Sequence, residues 1–417
     1  MGNFAFALWL VFMPIIQSLL DLIGLLNLLT GINLLILQIE IWGICFTVFK
    51  IITFFTGSDK KQFFISFKSK IKNPIFYLVS GLIISIVISS FINGIYEYTF
   101  AYYSCFLIFN CIYNLEKYQT KIFTKLLLII IAMSCVMGFI DPTNSFMPGF
   151  YENCFPLSLH FWNPNYSSYI VSICIIIVVF AIKSANKIQN YVFYILLFCI
   201  YALYLFMNGS FVAITLVFLT IILLIVFFWI KDKKFPIKFL MLLLAFIPFG
   251  FIVDLIPNIN HYRTCDYNYF IECLAVVDNI LGTKFLSLSG IESVAGADGW
   301  NRSEYLMLAF SKLNPAEGNL IHLLFGYGAG YFSQIRPHNS YIGLCLDYGI
   351  FTSLFYIAIL IYFFIKYFKC KNKSDTIAPA VIIFMVSIIE FFGCLLIYWV
   401  WLYICILAFG FKAMKND

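Results

Sequence analysis

Residues 211–230 have the sequence FVAITLVFLTIILLIVFFWI, in which none of the twenty side chains carries a charge. An α-helix of about 20 residues is about 30 Å long, which matches the hydrocarbon core of a bilayer. Apolar runs of comparable length recur along the chain of 417 residues, of which 63% are hydrophobic and 11% charged. Soluble domains are roughly a quarter charged. These observations exclude a soluble multidomain enzyme and predict an all-α polytopic membrane protein.

The apolar runs predict about twelve transmembrane helices. They are expected near 3–20, 31–54, 75–96, 98–115, 122–140, 166–183, 191–207, 211–230, 239–256, 341–368, 377–392 and 394–411. The last two could form one broken helix. The opening sequence MGNFAF has no basic segment of the kind that precedes a cleaved signal. The first span is therefore expected to remain as an anchor.

The lysines predict how the chain is oriented in the membrane. Only three of the 26 basic residues are arginines, and 21 of the 23 lysines fall on one side of the twelve-span arrangement. Because cytoplasmic loops carry an excess of basic residues, this side and both termini are expected in the cytoplasm. The net charge of +6 then has a topological origin. It does not indicate a nucleic-acid partner.

The arrangement predicts three parts. Residues 1–256 hold spans one to nine with a shorter periplasmic loop at 141–166, residues 257–340 form a large periplasmic loop, and residues 341–417 hold the last three spans and a short cytoplasmic tail. The large loop contains two cysteines, Cys265 and Cys273, for which a disulfide and free thiols both remain open.

All three arginines, Arg263, Arg302 and Arg336, fall in the large loop, although the chain otherwise uses lysine. The planar fork of guanidinium matches phosphate and carboxylate groups, so the placement indicates an anion-binding site. The loop contains five basic and seven acidic residues. Ion pairs within the loop are therefore the alternative explanation.

A short helix is predicted from Asn301 to about Leu313. Asn301 and Glu304 resemble a capping box, and this helix start would place Arg302 where unpaired N–H groups favour an anion. An apolar stripe follows, which predicts that the helix lies on the membrane surface. The stripe consists of Tyr305, Leu306, Ala309, Phe310 and Leu313.

A second helix start is expected at Asn339 or Ser340, directly after His338. The positive end of a helix disfavours imidazolium, and a neutral imidazole can accept a proton from a sugar hydroxyl. A simple capping or headgroup contact is the alternative for His338. His322, in the apolar run IHLLF, is instead expected to be packed.

The glycines of FGYGAGY, residues 325–331, neither follow a strand nor open a clear helix, which excludes a dinucleotide fingerprint. They favour a tight or re-entrant turn. Buried carboxylates are expected at Glu40, Asp347 and Glu390, and Asp347 lies about 13 Å along the helix from His338. No spacing typical of a metal site occurs, and we expect neither a metal nor a cofactor.

The chain resembles the O-antigen polymerase and O-antigen ligase superfamily of bacterial inner membranes. The resemblance is carried, in order, by NRSEYLMLAF (301–310), LLFGYGAGYF (323–332) and RPHNSYIGLCLDYGI (336–350), and more weakly by NPNYSSY (163–169). It covers about 50 residues closely and the topology throughout.

The resemblance implies a metal-independent glycosyltransferase with a GT-C-like fold that uses a lipid-pyrophosphate donor at the periplasmic face. His338 would activate the acceptor hydroxyl, and Arg302, with Arg336 and Arg263 as further candidates, would bind pyrophosphate. Asn339, Asn165 and Tyr341 are possible supporting residues. The expected partners are undecaprenyl-pyrophosphate-linked oligosaccharides, membrane lipid and a chain-length-determinant protein.

The expected function is that of a polymerase, which transfers the growing glycan to a new lipid-linked repeat unit. A ligase that transfers it to lipid A–core is the alternative, and a lipid-linked glycan flippase is a third. The negative loop charge argues against a ligase, whose acceptor is rich in phosphate. The chain departs from the family where an arginine often follows a serine at the eighth span, because here the residue is Phe211.

Overall fold

The computed structural model describes most of the chain. It covers residues 2–10, 34–56, 74–95, 115–140, 164–185, 187–208, 211–232, 236–254, 302–317, 319–331, 339–368 and 373–392, with a few single positions such as Cys111 and Ile335. All regular structure in these residues is helical, which confirms the all-α prediction. The expected spans 98–115 and 394–411 fall largely or wholly outside the described residues.

After the helical residues 2–10, we number twelve α-helices in chain order. They are α1 Leu34–Thr56, α2 Pro74–Asn93, α3 Lys117–Ile140, α4 Pro164–Ser184, α5 Ile188–Asn208, α6 Phe211–Asp232, α7 Ile237–Asp254, α8 Arg302–Leu313, α9 Leu320–Phe325, α10 Ser340–Tyr348, α11 Ile350–Phe368 and α12 Lys373–Phe392. A 3₁₀ turn at Pro315–Glu317 separates α8 from α9.

Four of the described helices contain a segment long and apolar enough to cross a membrane. These segments are Pro74–Asn93, Tyr118–Val136, Ile188–Met207 and Ala213–Ile230. Four shorter apolar segments lie at Ser168–Lys183, Ile237–Phe249, Ile350–Lys366 and Ala380–Ile389. The chain is thus a helical membrane protein, while the full number of spans stays a prediction.

The chain forms two compact units. The second consists of Lys117–Ser303 with Leu407–Asp417 and contains α3 to α7. Its central helix is α4, which is buried continuously from Ser168 to Ile182 and packs against α5, α6 and α7. Continuous apolar sequence suits a helix that neighbouring helices surround on every side.

The first unit consists of Met1–Glu116 and Glu304–Ile406 and contains α1, α2 and the helices from α8 onward. Here α11 packs against α2, α10 and α12. A hydrogen bond of 2.9 Å between the hydroxyls of Thr352 and Ser85 joins α11 to α2. The predicted division into 1–256, 257–340 and 341–417 stays a prediction.

The expectation of one continuous span over 341–368 is wrong. The helix breaks at Gly349, where φ is +87° and ψ is 171°, a conformation almost restricted to glycine. The hydroxyl of Ser353 in α11 donates to the carbonyl of Tyr341 in α10 over 2.9 Å, so the first turn of α10 lies beside the start of α11. A straight helix would hold these two residues about 18 Å apart.

Candidate functional site

The structure describes the predicted site residues to different extents. His338, Arg336 and Arg263 lie outside the described residues. Arg302 is the first residue of α8, and Asn165 lies in the first turn of α4. For these two, the structure describes the backbone.

Asn339 is the N-cap of α10, as the sequence predicts. Its backbone is extended, with φ −146°, and its side-chain oxygen accepts a hydrogen bond from the N–H of Ile342 at 3.0 Å. The residue is only 5% exposed. The amide therefore fixes the helix start that follows His338, which is a positioning role.

Tyr341 joins α10 to two other helices. Its hydroxyl donates to the carbonyl of Ser387 in α12 over 3.1 Å, and its ring lies 6.2 Å from the ring of Tyr356 in α11. These contacts, with the bond from Ser353 to its carbonyl, hold the first turn of α10 against the helix pair. Tyr341 thus has a structural role, and its supporting role in the site stays a prediction.

The glycine turn, residues 326–331, caps the end of α10. The N–H of Tyr327 donates to the carbonyl of Leu346 over 2.7 Å, and that of Gly328 donates to the carbonyl of Asp347 over 3.0 Å. Gly326, Gly328 and Gly330 all have positive φ, and a Cβ on Gly326 would collide with the Asp347 carbonyl. The expectation of a tight turn is confirmed. Backbone groups released by a broken membrane helix need such partners.

Asp347 holds the far end of the same turn. The side chain is 2% exposed, and its carboxylate accepts the N–H of Gly330 over 3.1 Å. A buried carboxylate needs hydrogen bonds to offset its lost hydration. Sequence reasoning identified Asp347 as buried but missed Gly330, since a backbone donor leaves no mark in the side-chain pattern.

Two side chains at the end of α2 contact the residue that directly precedes the glycine turn. The hydroxyl of Ser89 donates to the carbonyl of Phe325, and the amide of Asn93 donates to the same oxygen over 3.3 Å. This oxygen belongs to the last residue of α9. Sequence reasoning also missed Ser89 and Asn93, whose signal is two polar residues four apart on an apolar span.

The apolar stripe of α8 packs partly on protein rather than only on membrane. Ala309 and Leu313 are buried in a cluster with Ile335, Cys345 and Leu346. Part of the stripe therefore faces protein, and the expectation that α8 lies on the membrane surface stays a prediction. Phe310, which belongs to the stripe, is 55% exposed, and Met307 on the same helix is 69% exposed.

An open groove of about 670 Å³ lies between α8, α10 and α11. Met307, Phe310, Ile342, Cys345 and Leu354 form much of its wall. Its volume is in the range of small-molecule sites, about 300–1,000 Å³.

The groove offers few hydrogen bonds to an occupant. Of its lining hydroxyls, Ser311 donates to the carbonyl of Leu308 over 2.8 Å, and Ser353 donates to the carbonyl of Tyr341 over 2.9 Å. Since these two hydroxyls are already used and most of the other lining side chains are apolar, the groove suits a hydrocarbon chain better than a polar molecule.

Three aromatic rings stack beside the glycine turn. The ring centroids of His322 and Tyr327 are 3.8 Å apart at an interplanar angle of 9°, and those of Tyr327 and Tyr331 are 4.2 Å apart at 16°. His322 is thus packed, as expected. Tyr327 and Tyr331 were not identified from the sequence, although the alternation of tyrosine and glycine was their signal.

Within the described part of the chain, no three histidine, cysteine or acidic side chains are grouped as a metal site would require. Comparison with known proteins adds no relative: no family model matches the chain, and no curated protein matches it.

Proposed function

We propose that the chain is an O-antigen polymerase of the bacterial inner membrane. It would transfer a growing glycan from undecaprenyl pyrophosphate to a new repeat unit on the same carrier. The observation that carries the proposal is the apolar groove, because its wall combines α8, which begins at Arg302, with the first turn of α10, which begins just after His338. The groove would hold the lipid tail of the substrate. Its pyrophosphate and its sugar would then bind near the starts of α8 and α10.

The orientation also supports the proposal. The lysine pattern assigns the Asn93 end of α2 to the periplasmic side. Because Asn93 contacts the last carbonyl of α9, the glycine turn and α10 would then lie near the periplasmic face. Both termini would be cytoplasmic, with about twelve spans in a GT-C-like arrangement.

In the proposed reaction, His338 accepts a proton from a hydroxyl of the acceptor sugar. The hydroxyl oxygen bonds to the anomeric carbon of the donor glycan, and the bond from that carbon to the pyrophosphate oxygen breaks. Undecaprenyl pyrophosphate leaves with the bonding electrons. Arg302, Arg336 and Arg263 would stabilise the charge on the leaving group through paired hydrogen bonds. No metal is needed in this scheme.

Phe211 stands where the resembled family often has an arginine, which affects the choice of pyrophosphate-binding residues. Phe211 is the first residue of α6, so that helix start carries no guanidinium. Arg263 or Arg336 would supply the positive charge instead. We favour the polymerase over the ligase because the negative loop suits a phosphate-rich core acceptor poorly.

The proposal is tested by glycan transfer in membranes that contain the full-length protein. The donor and acceptor are the undecaprenyl-pyrophosphate-linked repeat units extracted from a host strain that lacks the gene. His338→Ala should reduce the rate by about 10²- to 10⁴-fold, as expected for loss of a general base. Arg302→Lys should lose most activity, since an ammonium group cannot form paired contacts.

Lys187→Ala, at an exposed position on the side that the lysine pattern assigns to the cytoplasm, is the control and should keep normal activity. Normal transfer by the His338→Ala protein would remove the proposed base. Normal transfer by the Arg302→Lys protein would remove the proposed pyrophosphate contact.

A further inference from the structure

The imidazole of His322 is fixed in one tautomer. Its Nδ1 lies 3.2 Å from the carbonyl oxygen of Gly326, and the N–H of Gly326 donates to the carbonyl of His322 over 2.8 Å. A carbonyl oxygen can only accept, so Nδ1 must carry the hydrogen. In the neutral ring, the lone pair is then on Nε2.

The ring is also fixed in orientation. One face stacks on Tyr327, whose other face stacks on Tyr331. The hydroxyl of Tyr327 donates to the carbonyl of Lys312 over 2.8 Å, which prevents the middle ring from rotating away. The turn itself is held by the bond from Gly330 to Asp347. Little side-chain entropy remains to be lost when a ligand contacts His322.

Among the described residues, Nε2 has no hydrogen-bond partner, and His322 is partly exposed to solvent. A rigidly held acceptor that is accessible to solvent can bind a ligand that donates a hydrogen bond, at little entropic cost.

We propose that His322 is a sugar-binding residue whose Nε2 accepts a hydrogen bond from a hydroxyl of the acceptor repeat unit, beside the aromatic stack. The inference rests on the proposed function, because the repeat unit is its ligand. His322 would bind the acceptor without taking its proton. That step is assigned to His338.

Two variants distinguish sugar binding by Nε2 from the structural hydrogen bond between Nδ1 and the Gly326 carbonyl. In His322→Asn, the amide nitrogen can replace Nδ1 and still donate to Gly326, but nothing replaces Nε2. In His322→Gln, the longer side chain can place an amide oxygen near the position of Nε2, but the contact with Gly326 is lost. The variants therefore exchange the two functions of the imidazole.

We expect one variant to lose mainly binding and the other to lose mainly stability. Both variants lose the stack on Tyr327. His322→Asn keeps the bond to Gly326, so it should melt only slightly below the unaltered protein and raise the KM for the lipid-linked acceptor about tenfold, the upper end for one neutral hydrogen bond. His322→Gln should melt earlier but keep a KM within about threefold of the original protein. A KM for His322→Asn equal to that of the unaltered protein would overturn the proposal.

A direct binding measurement distinguishes failure of this inference from failure of the proposed function. The purified full-length protein and its His322→Asn variant are titrated with the repeat unit extracted from the host that lacks the gene. Weaker binding by the variant supports the inference even where no transfer occurs. Equal binding overturns it even where His338→Ala abolishes transfer.

Discussion

Substitution of Gly349 by alanine tests the break between α10 and α11. At Gly349, φ is +87° and ψ is 171°, and a Cβ would collide with the carbonyl oxygen of Leu324. A residue other than glycine in this region of backbone space costs about 1–3 kcal/mol. Forcing an extra carbon into packed surroundings adds about 1–3 kcal/mol. We expect a total loss of about 4 kcal/mol from these two effects.

The matched control is Gly94→Ala. Gly94 also has a positive φ of +64°, but a Cβ there meets no atom within 4 Å. Only the backbone cost of about 1–2 kcal/mol applies to this variant. The two variants thus differ by about 2–3 kcal/mol, most of it from the contact with Leu324 and the rest from the larger backbone cost at Gly349.

The assay is thermal unfolding of both purified proteins in the same detergent. A melting temperature falls by about 2–4 °C for each kcal/mol in a unit of about 200 residues, so Gly349→Ala should melt about 5–10 °C below Gly94→Ala. Equal melting temperatures would show that Gly349, between α10 and α11, does not pack against the Leu324 carbonyl. The packing of the glycine turn on α10 would then be refuted as well.

Three further changes test single contacts. Asp347→Ala leaves the half-buried N–H of Gly330 without its carboxylate and should cost about 1–3 kcal/mol. Asp347→Asn, whose amide oxygen can accept the same bond, should cost less, and equal losses would contradict this role. Tyr341→Phe removes the hydrogen bond to the Ser387 carbonyl and should lower the unfolding free energy by about 0.5–1.5 kcal/mol. An unchanged melting curve would show that this hydrogen bond does not stabilise the protein. Phe310→Ser makes one groove wall polar and should raise the KM for the lipid-linked donor about tenfold, and an unaltered KM would place the lipid elsewhere.

The long helices could be predicted from the sequence because each consists of one uninterrupted apolar run. The expected span 191–207 corresponds to α5, Ile188–Asn208, and 211–230 corresponds to α6, Phe211–Asp232. The helix start was also predicted, at Asn339 or Ser340, and the N-cap is Asn339; capping depends on a few adjacent residues. Local sequence determines both features.

The broken helix could not be predicted in this way. Glycine is tolerated within helices, so Gly349 alone does not indicate a break. The break depends on Leu324 and on the N–H of Tyr327 that caps Leu346, which are contacts with a distant part of the chain.

The environment of α8 was predicted only in part for a related reason. Periodicity identified an apolar face but not what covers it, and bilayer and protein both accept apolar side chains. Ala309 and Leu313 pack on protein, whereas Phe310 is exposed. The catalytic and pyrophosphate-binding roles of His338 and Arg302 stay predictions from the sequence pattern.

Deletion of the gene in its own host, followed by gel analysis of the lipopolysaccharide, tests the proposed function most directly. We expect the ladder of long chains to disappear and lipid A–core to carry a single repeat unit. The unaltered gene should restore the ladder, and the gene for His338→Ala should not. Bare core, with polymer left on the undecaprenyl carrier, would instead identify a ligase. An unchanged ladder would contradict the account.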